Sequence, residues 1–165
     1  MSKYAISDWI NSSGGPLVMM EEAAALLWSG SNGSPSDYDL ACQSDDYASK
    51  LVPRGADVLV LGDEALQTSV ATSDKLQLIV RWKWADSDAD VRVAIEKIDL
   101  QAVKIIKRLN LNLVDEHLVI FDAVDTFDSN ECLRLSMNSG AKEVSTFIFQ
   151  PTPRTSLLVH SIVAL

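Results

Sequence analysis

The sequence predicts an α+β fold: a single domain with a largely antiparallel β-sheet, one long amphipathic helix and one or two short N-terminal helices. Three observations lead there. Strand-like runs dominate from residue 57 onward. Within them, Leu76, Leu78, Val80, Trp82 and Trp84 alternate on one face while Gln77, Arg81 and Lys83 mark the other. Between the strands, Val91, Ile95, Ile98, Ala102, Ile105 and Leu109 recur at helical spacings of three and four. The chain has 165 residues, 47% of them hydrophobic and 22% charged, which fits one globular domain over residues 1–165. A chain of this length buries enough surface to need no metal or disulfide staple.

The elements follow in order. A strand over Ile6 to Ile10, a Ser12-Ser13-Gly14-Gly15 turn and a return strand Pro16 to Met20 read as a hairpin. Glu21 to Trp28 reads as a helix, with two acids on its positive end, three alanines inside and Gly30 beyond it. The Ser/Gly-rich stretch from Ser29 to Ser36 is a surface loop. Ser36 and Asp39 then form a capping box for a short helix through Cys42. Asp57 to Leu61 is a strand ending at Gly62, and Leu76 to Trp84 is the clearest strand. The long helix opens at Ser87 with Asp90 as its capping partner. Asp88 and Asp90 lie at its start and Lys104, Lys107 and Arg108 at its end, complementing the dipole; Asp99 marks the one point where it could break. His117 to Ala123, Cys132 to Met137, Val144 to Gln150 and Ser156 to Val163 complete an antiparallel meander. Its turns are Asn138-Ser139-Gly140 and Pro151-Thr152-Pro153.

The N-terminus has no apolar run of a secretory signal, and no stretch reaches the length of a membrane span. The expected compartment is the cytoplasm. Cys42 and Cys132, both among apolar neighbours, are expected to be buried free thiols.

Little chemistry is written in the residues. Glycine spacings match neither the dinucleotide nor the P-loop fingerprint, and no nucleophile elbow occurs. His117 and His160 stand alone in strand-like segments, so neither a metal nor any other cofactor is expected. Asp63-Glu64 follows a buried strand and could serve a small hydrolase or other enzyme, although no second positioned group is identifiable. The formal charge of −9 argues against nucleic acid and anionic membrane as partners. That charge is uneven. Residues 1–64 carry 3 basic and 10 acidic groups, residues 65–108 carry 8 and 6, and residues 109–165 carry 3 and 7. Asp37, Asp39, Asp45 and Asp46 cluster around Tyr38 and Tyr47, a composition suited to steering and anchoring a basic protein partner.

Several segments together resemble the immunity protein 21 family of bacterial polymorphic toxin systems. They are Trp9-Ile10, Ser12-Ser13-Gly14-Gly15-Pro16-Leu17-Val18, Asp37-Tyr38-Asp39-x-Ala41-Cys42, Val60-Leu61-Gly62-Asp63-Glu64, Val80-Arg81-Trp82 and Thr155-Ser156-Leu157-Leu158. They run in one order over most of the chain. The resemblance implies a small cytoplasmic α+β protein, without catalysis of its own, that neutralises a cognate toxin domain by direct binding. It carries over no interface residues. The charge reasoning alone names Asp37, Tyr38, Asp39, Asp45, Asp46, Tyr47, Asp63 and Glu64 as the partner-binding patch. A housekeeping protein- or ligand-binding module of the same fold is the remaining alternative.

Overall fold

Two antiparallel sheets face one another in the computed structural model, which describes residues 2–165. The strands are β1 (Ala5–Ile6), β2 (Leu17–Glu21), β3 (Ser49–Leu51), β4 (Val58–Leu61), β5 (Thr68–Thr72), β6 (Gln77–Trp84), β7 (Lys107–Leu113), β8 (His117–Asp122), β9 (Leu133–Ser136), β10 (Gly140–Thr152) and β11 (Thr155–Ala164). The first sheet has the order β1-β5-β6-β11-β10-β7 and the second β3-β4-β2-β8-β9. The helices are α1 (Glu22–Ala25), α2 (Asp37–Ala41) and α3 (Asp88–Glu96).

Alternation explains the layers. Leu17 and Met19 of β2, with Leu59 and Leu61 of β4, meet Ile79 of β6 and Ile162 of β11 between the sheets. The opposite face of β2 and β4 presents Val18, Met20, Val58 and Val60, which pack against Ala25, Trp28 and Ala41 at α1 and α2. The opposite face of β6 presents Leu78 and Val80, with Leu76 and Trp82 at its margin, to Val91, Ala94 and Ile95 of α3. Strands β2 and β4 are therefore buried on both faces, which is why they read as continuous apolar runs. Trp84, at the end of β6, is 46% exposed.

The fold class expected from the sequence requires correction: the chain is mostly antiparallel β, in two sheets, and has no long amphipathic helix among the described residues. Helix α3 stops at Glu96, with Lys97 as its C-cap. Asp99 then builds a turn, its carboxylate accepting from Gln101 N (3.0 Å) and its carbonyl from Ala102 N and Val103 N. The β-branched Val103, Ile105 and Ile106 lead into β7, where Leu109, Leu111 and Leu113 alternate toward the second sheet. Ile98, Val103 and Ile105 still cover the same apolar layer as α3, so their spacing records burial and not helix.

Two pairings also differ. The N-terminal strands form no hairpin: Ala5 pairs with Thr72 in the first sheet while β2 lies between β4 and β8 in the second. The C-terminal meander is split, because residues 137–139 cross from β9 in one sheet to β10 in the other. Cys42 is exposed and Cys132 half-buried, so neither is the buried thiol expected. No helix among the described residues is long and apolar enough to cross a membrane.

Candidate functional site

Three of the sequence segments singled out above converge at one end of the second sheet. The turn before β2 (Gly14, Gly15, Pro16), the helix α2 with its exit (Tyr38, Ala41, Cys42, Ser44) and the loop after β4 (Gly62, Asp63, Glu64, Ala65) line a cleft of about 290 Å³. Glycine is required at Gly62, where a side chain would strike backbone, and at Gly15 a side chain would displace the Tyr38 ring. A Cβ on Gly15 would sit 2.5 Å from Tyr38 Oη, and one on Gly62 would sit 2.6 Å from the Asp46 carbonyl oxygen. Tyr38 is set by α2, whose N-cap Ser36 accepts from Asp39 N while the Asp39 carboxylate accepts from Ser36 N, each at 3.0 Å.

The loop after β4 is held from the other sheet. Arg81 of β6 is 1% exposed, and it points between the sheets with Ile79. Its Nη1 donates to the Tyr47 carbonyl (3.1 Å), and its Nη2 to the carbonyls of Leu61 (3.3 Å), Gly62 (3.0 Å) and Glu64. Burial pulls the guanidinium down to about 10, against the attraction of Glu64, Tyr47 and Asp63, so it remains a cation at neutral pH. Behind it lies His160, fully buried, with Nδ1 2.8 Å from Thr146 Oγ1. Burial first, and then the neighbouring Arg81 charge, push the His160 pKa well below its ordinary value, so the ring is neutral.

The acidic residues read from the sequence divide by environment. Asp37 turns inward: Arg54 donates to both its carboxylate oxygens and Ser29 N donates at 2.8 Å. Burial raises its pKa, but the hydrogen bonds from Arg54 and Ser29 outweigh it and hold the group below its ordinary value. Asp46 is paired with Lys107, whose hydrogen bond lowers its pKa. Tyr47 is half-buried under the Lys83 ammonium, 5.5 Å from the ring centroid. Glu64 pairs with the same Lys83 at 3.0 Å. Asp39, Asp45 and Asp63 are exposed and take part in no ion pair among the described residues. Asp63 adopts φ 68°, a left-handed conformation that aspartate tolerates better than most side chains. As an acid–base pair for a hydrolase, Asp63 and Glu64 divide: one is left to solvent and the other is committed to Lys83.

The cleft thus unites Tyr38, Asp63 and Glu64, while Asp37 stands apart from it. Sequence reasoning missed Arg81 as its organiser. The signal was the run Leu78-Ile79-Val80 just before it, apolar on both faces, which places Arg81 where it has to find buried acceptors. It also missed Asp122 of β8, whose Oδ2 accepts from Ser13 N (2.7 Å) and Ser13 Oγ (2.9 Å) and so fixes the Gly14-Gly15 turn.

Neither the curated proteins nor the solved structures give a match to this chain. The family model described as Immunity protein 21 matches residues 8–155, a span that contains every segment lining the cleft as well as Arg81. The chain belongs to the immunity protein 21 family.

Proposed function

We propose that the protein acts in the bacterial cytoplasm as an immunity protein, binding a cognate toxin domain and blocking it without catalysis of its own. The observation that carries the reading is the rim of the cleft. The half-buried Tyr38 ring and the exposed Asp63 line it, Asp39 and Asp45 are exposed one residue beyond the lining Tyr38 and Ser44, and none of these three carboxylates forms an ion pair among the described residues. Unpaired carboxylates around a partly apolar anchor attract a cationic surface and retain it after salt has screened the charges. A toxin that acts on nucleic acid needs a basic cleft, and such a cleft accepts an acidic protein in place of phosphate. Asp37, Asp46 and Tyr47, named with these residues from the sequence, serve this surface by fixing its frame.

The test is co-expression with the toxin encoded beside the gene, together with binding kinetics on the purified pair. Asp39→Lys, Asp45→Lys and Asp63→Asn combined should slow association about tenfold at low salt and flatten its salt dependence. Asparagine is chosen at 63 because it tolerates the left-handed backbone. The exposed Leu26 and Leu27 on the turn after α1 supply the contrast, at 73% and 63% exposure. If Leu26→Ser with Leu27→Ser abolishes protection while the acidic triple variant does not, the interface lies on that apolar patch and the cleft reading fails.

A further inference from the structure

We infer that a second cleft, at the opposite end of the sandwich from Arg81, binds a carboxylate group with Lys142 as its buried anchor. The cleft has a volume of about 270 Å³ and opens between the β5–β6 turn, the end of β9 and the start of β10. This inference is independent of toxin binding.

Strand alternation sets Lys142 on the same face as Val144, which packs in the layer between the sheets. Its register partners are Leu111 and Ala164, both without a polar side chain. Lys142 is 4% exposed, so its stem is buried, while its ammonium keeps contact with solvent and has no hydrogen bond and no ion pair among the described residues. A lysine stem packs along apolar surface while carrying its charged head to water, so the burial of this stem fixes where the charge emerges. What distinguishes Lys142 from a packing residue is where it leads: it lines the cleft, beside neutral donors and acceptors from Ser73, Gln77, Ser136 and Asn138. Gln77 is already fixed there, accepting from Thr72 Oγ1 (2.8 Å) and donating to the Ser136 carbonyl (3.1 Å).

Charge selects the ligand class. Asp74 and Lys75 both line the cleft and offset one another, leaving Lys142 as the net positive charge. One net charge among neutral amide and hydroxyl groups suits a monoanion, with a carboxylate oxygen on the ammonium and its partner oxygen on the hydroxyl or amide groups. The carboxylate could belong to a free organic acid or to an acidic side chain of another protein.

The test is amide NMR on the isotope-labelled protein, titrated with sodium acetate against sodium chloride at equal ionic strength. Saturable shifts confined to residues 73–77, 136–138 and 140–144 are expected with acetate only. Lys142→Met and Lys142→Gln should each weaken the site at least about tenfold, as expected for loss of a charge-assisted hydrogen bond. Both spectra also report whether the variants remain folded. A parallel titration with an end-capped Gly-Glu-Gly peptide separates the sources. Tighter binding than acetate assigns the cleft to an acidic side chain, and weaker binding assigns it to a free acid. Equal shifts with chloride, or acetate shifts that persist in both folded variants, would overturn the proposal.

Discussion

Arg81 Nη2 donates a 3.0 Å hydrogen bond to the Gly62 carbonyl, so a strand of one sheet grips the loop that ends a strand of the other. Four backbone carbonyls, of Tyr47, Leu61, Gly62 and Glu64, share this one guanidinium. A guanidinium fork carries five N–H donors against the three of an ammonium, enough for four carbonyls at once. The wall of the candidate cleft is therefore positioned by a residue that does not line it.

Replacing Arg81 by alanine leaves those carbonyls without their donor and a void between the sheets. The expected cost is about 3 kcal/mol, the sum of unsatisfied acceptors and lost side-chain packing. Urea unfolding should show a lower midpoint at unchanged slope. Amide exchange at Glu64, whose N–H donates to the Gly62 carbonyl at 2.9 Å, should accelerate beyond the global loss. Arg81→Lys should recover less than half of the loss. A variant as stable as the parent would show that the carbonyls find other donors.

Gly15 and Tyr38 offer a test of the other wall. The Tyr38 ring occupies the space that a methyl group on Gly15 would enter. Gly15→Ala should therefore destabilise the fold by about 1–3 kcal/mol, the usual range for overpacking. Tyr38→Ala removes the obstacle, so the double variant should be more stable than the two single losses predict. A double-mutant cycle measured by chemical denaturation gives the coupling; strict additivity would mean that the contact is not the source of the cost.

These two contacts also mark what the sequence could and could not convey. Both short capped starts were legible, because Ser36 with Asp39 and Ser87 with Asp90 are local signals whose partners lie three residues apart. The period-two run in β6 was legible for the same reason. The long helix was not, since residues 98–105 keep an apolar spacing that satisfies the α3 layer whether the chain is helical or turning. Leu109, Leu111 and Leu113 carried the strand signal, but they lay at the end of a run already read at helical period. The split into two sheets could not be read at all. Whether Asn138-Ser139-Gly140 returns a strand or sends it across the sandwich depends on partners distant in sequence. At the site, Tyr38, Asp63 and Glu64 emerged from local charge, whereas Arg81 acts over a separation of 19 residues to Gly62.

His160 makes stability depend on pH in a definite window. Its folded pKa lies well below the ordinary 6.5, chiefly through burial and then through the Arg81 charge. Above pH 6.5 neither state binds the proton, and the full stability is present. As pH falls below that value the unfolded chain takes up a proton that the native ring refuses, so stability declines by about 1.4 kcal/mol per pH unit. Urea unfolding between pH 7.5 and pH 5 should show this slope, and His160→Gln, which keeps a partner for Thr146, should flatten it. Equal slopes in the two proteins would place the lost proton elsewhere.

Asp37 and Asp45 carry the same charge eight residues apart, and the structure assigns them opposite behaviour. The Asp37 carboxylate is 6% exposed and bound by Arg54 and Ser29; Asp45 is exposed and unpaired among the described residues. Asp37→Asn should therefore cost about 1–2 kcal/mol at pH 7, a figure reduced by the 40% exposure of Arg54. Because hydrogen bonding lowers the folded pKa of Asp37 in spite of its burial, its contribution is present above the ordinary 3.8 and is lost as pH falls below it. The variant should show a shallower acid limb for that reason. Association with the toxin should be nearly unchanged, since a buried, neutralised charge adds little to the field at the surface. Asp45→Lys should do the reverse, leaving the urea midpoint within about 0.5 kcal/mol of the parent while slowing association most at low salt. Stopped-flow association across a salt series, paired with urea unfolding of each variant, separates the two roles. Slower association in Asp37→Asn at unchanged stability would move the binding surface to the Arg54 side of α2.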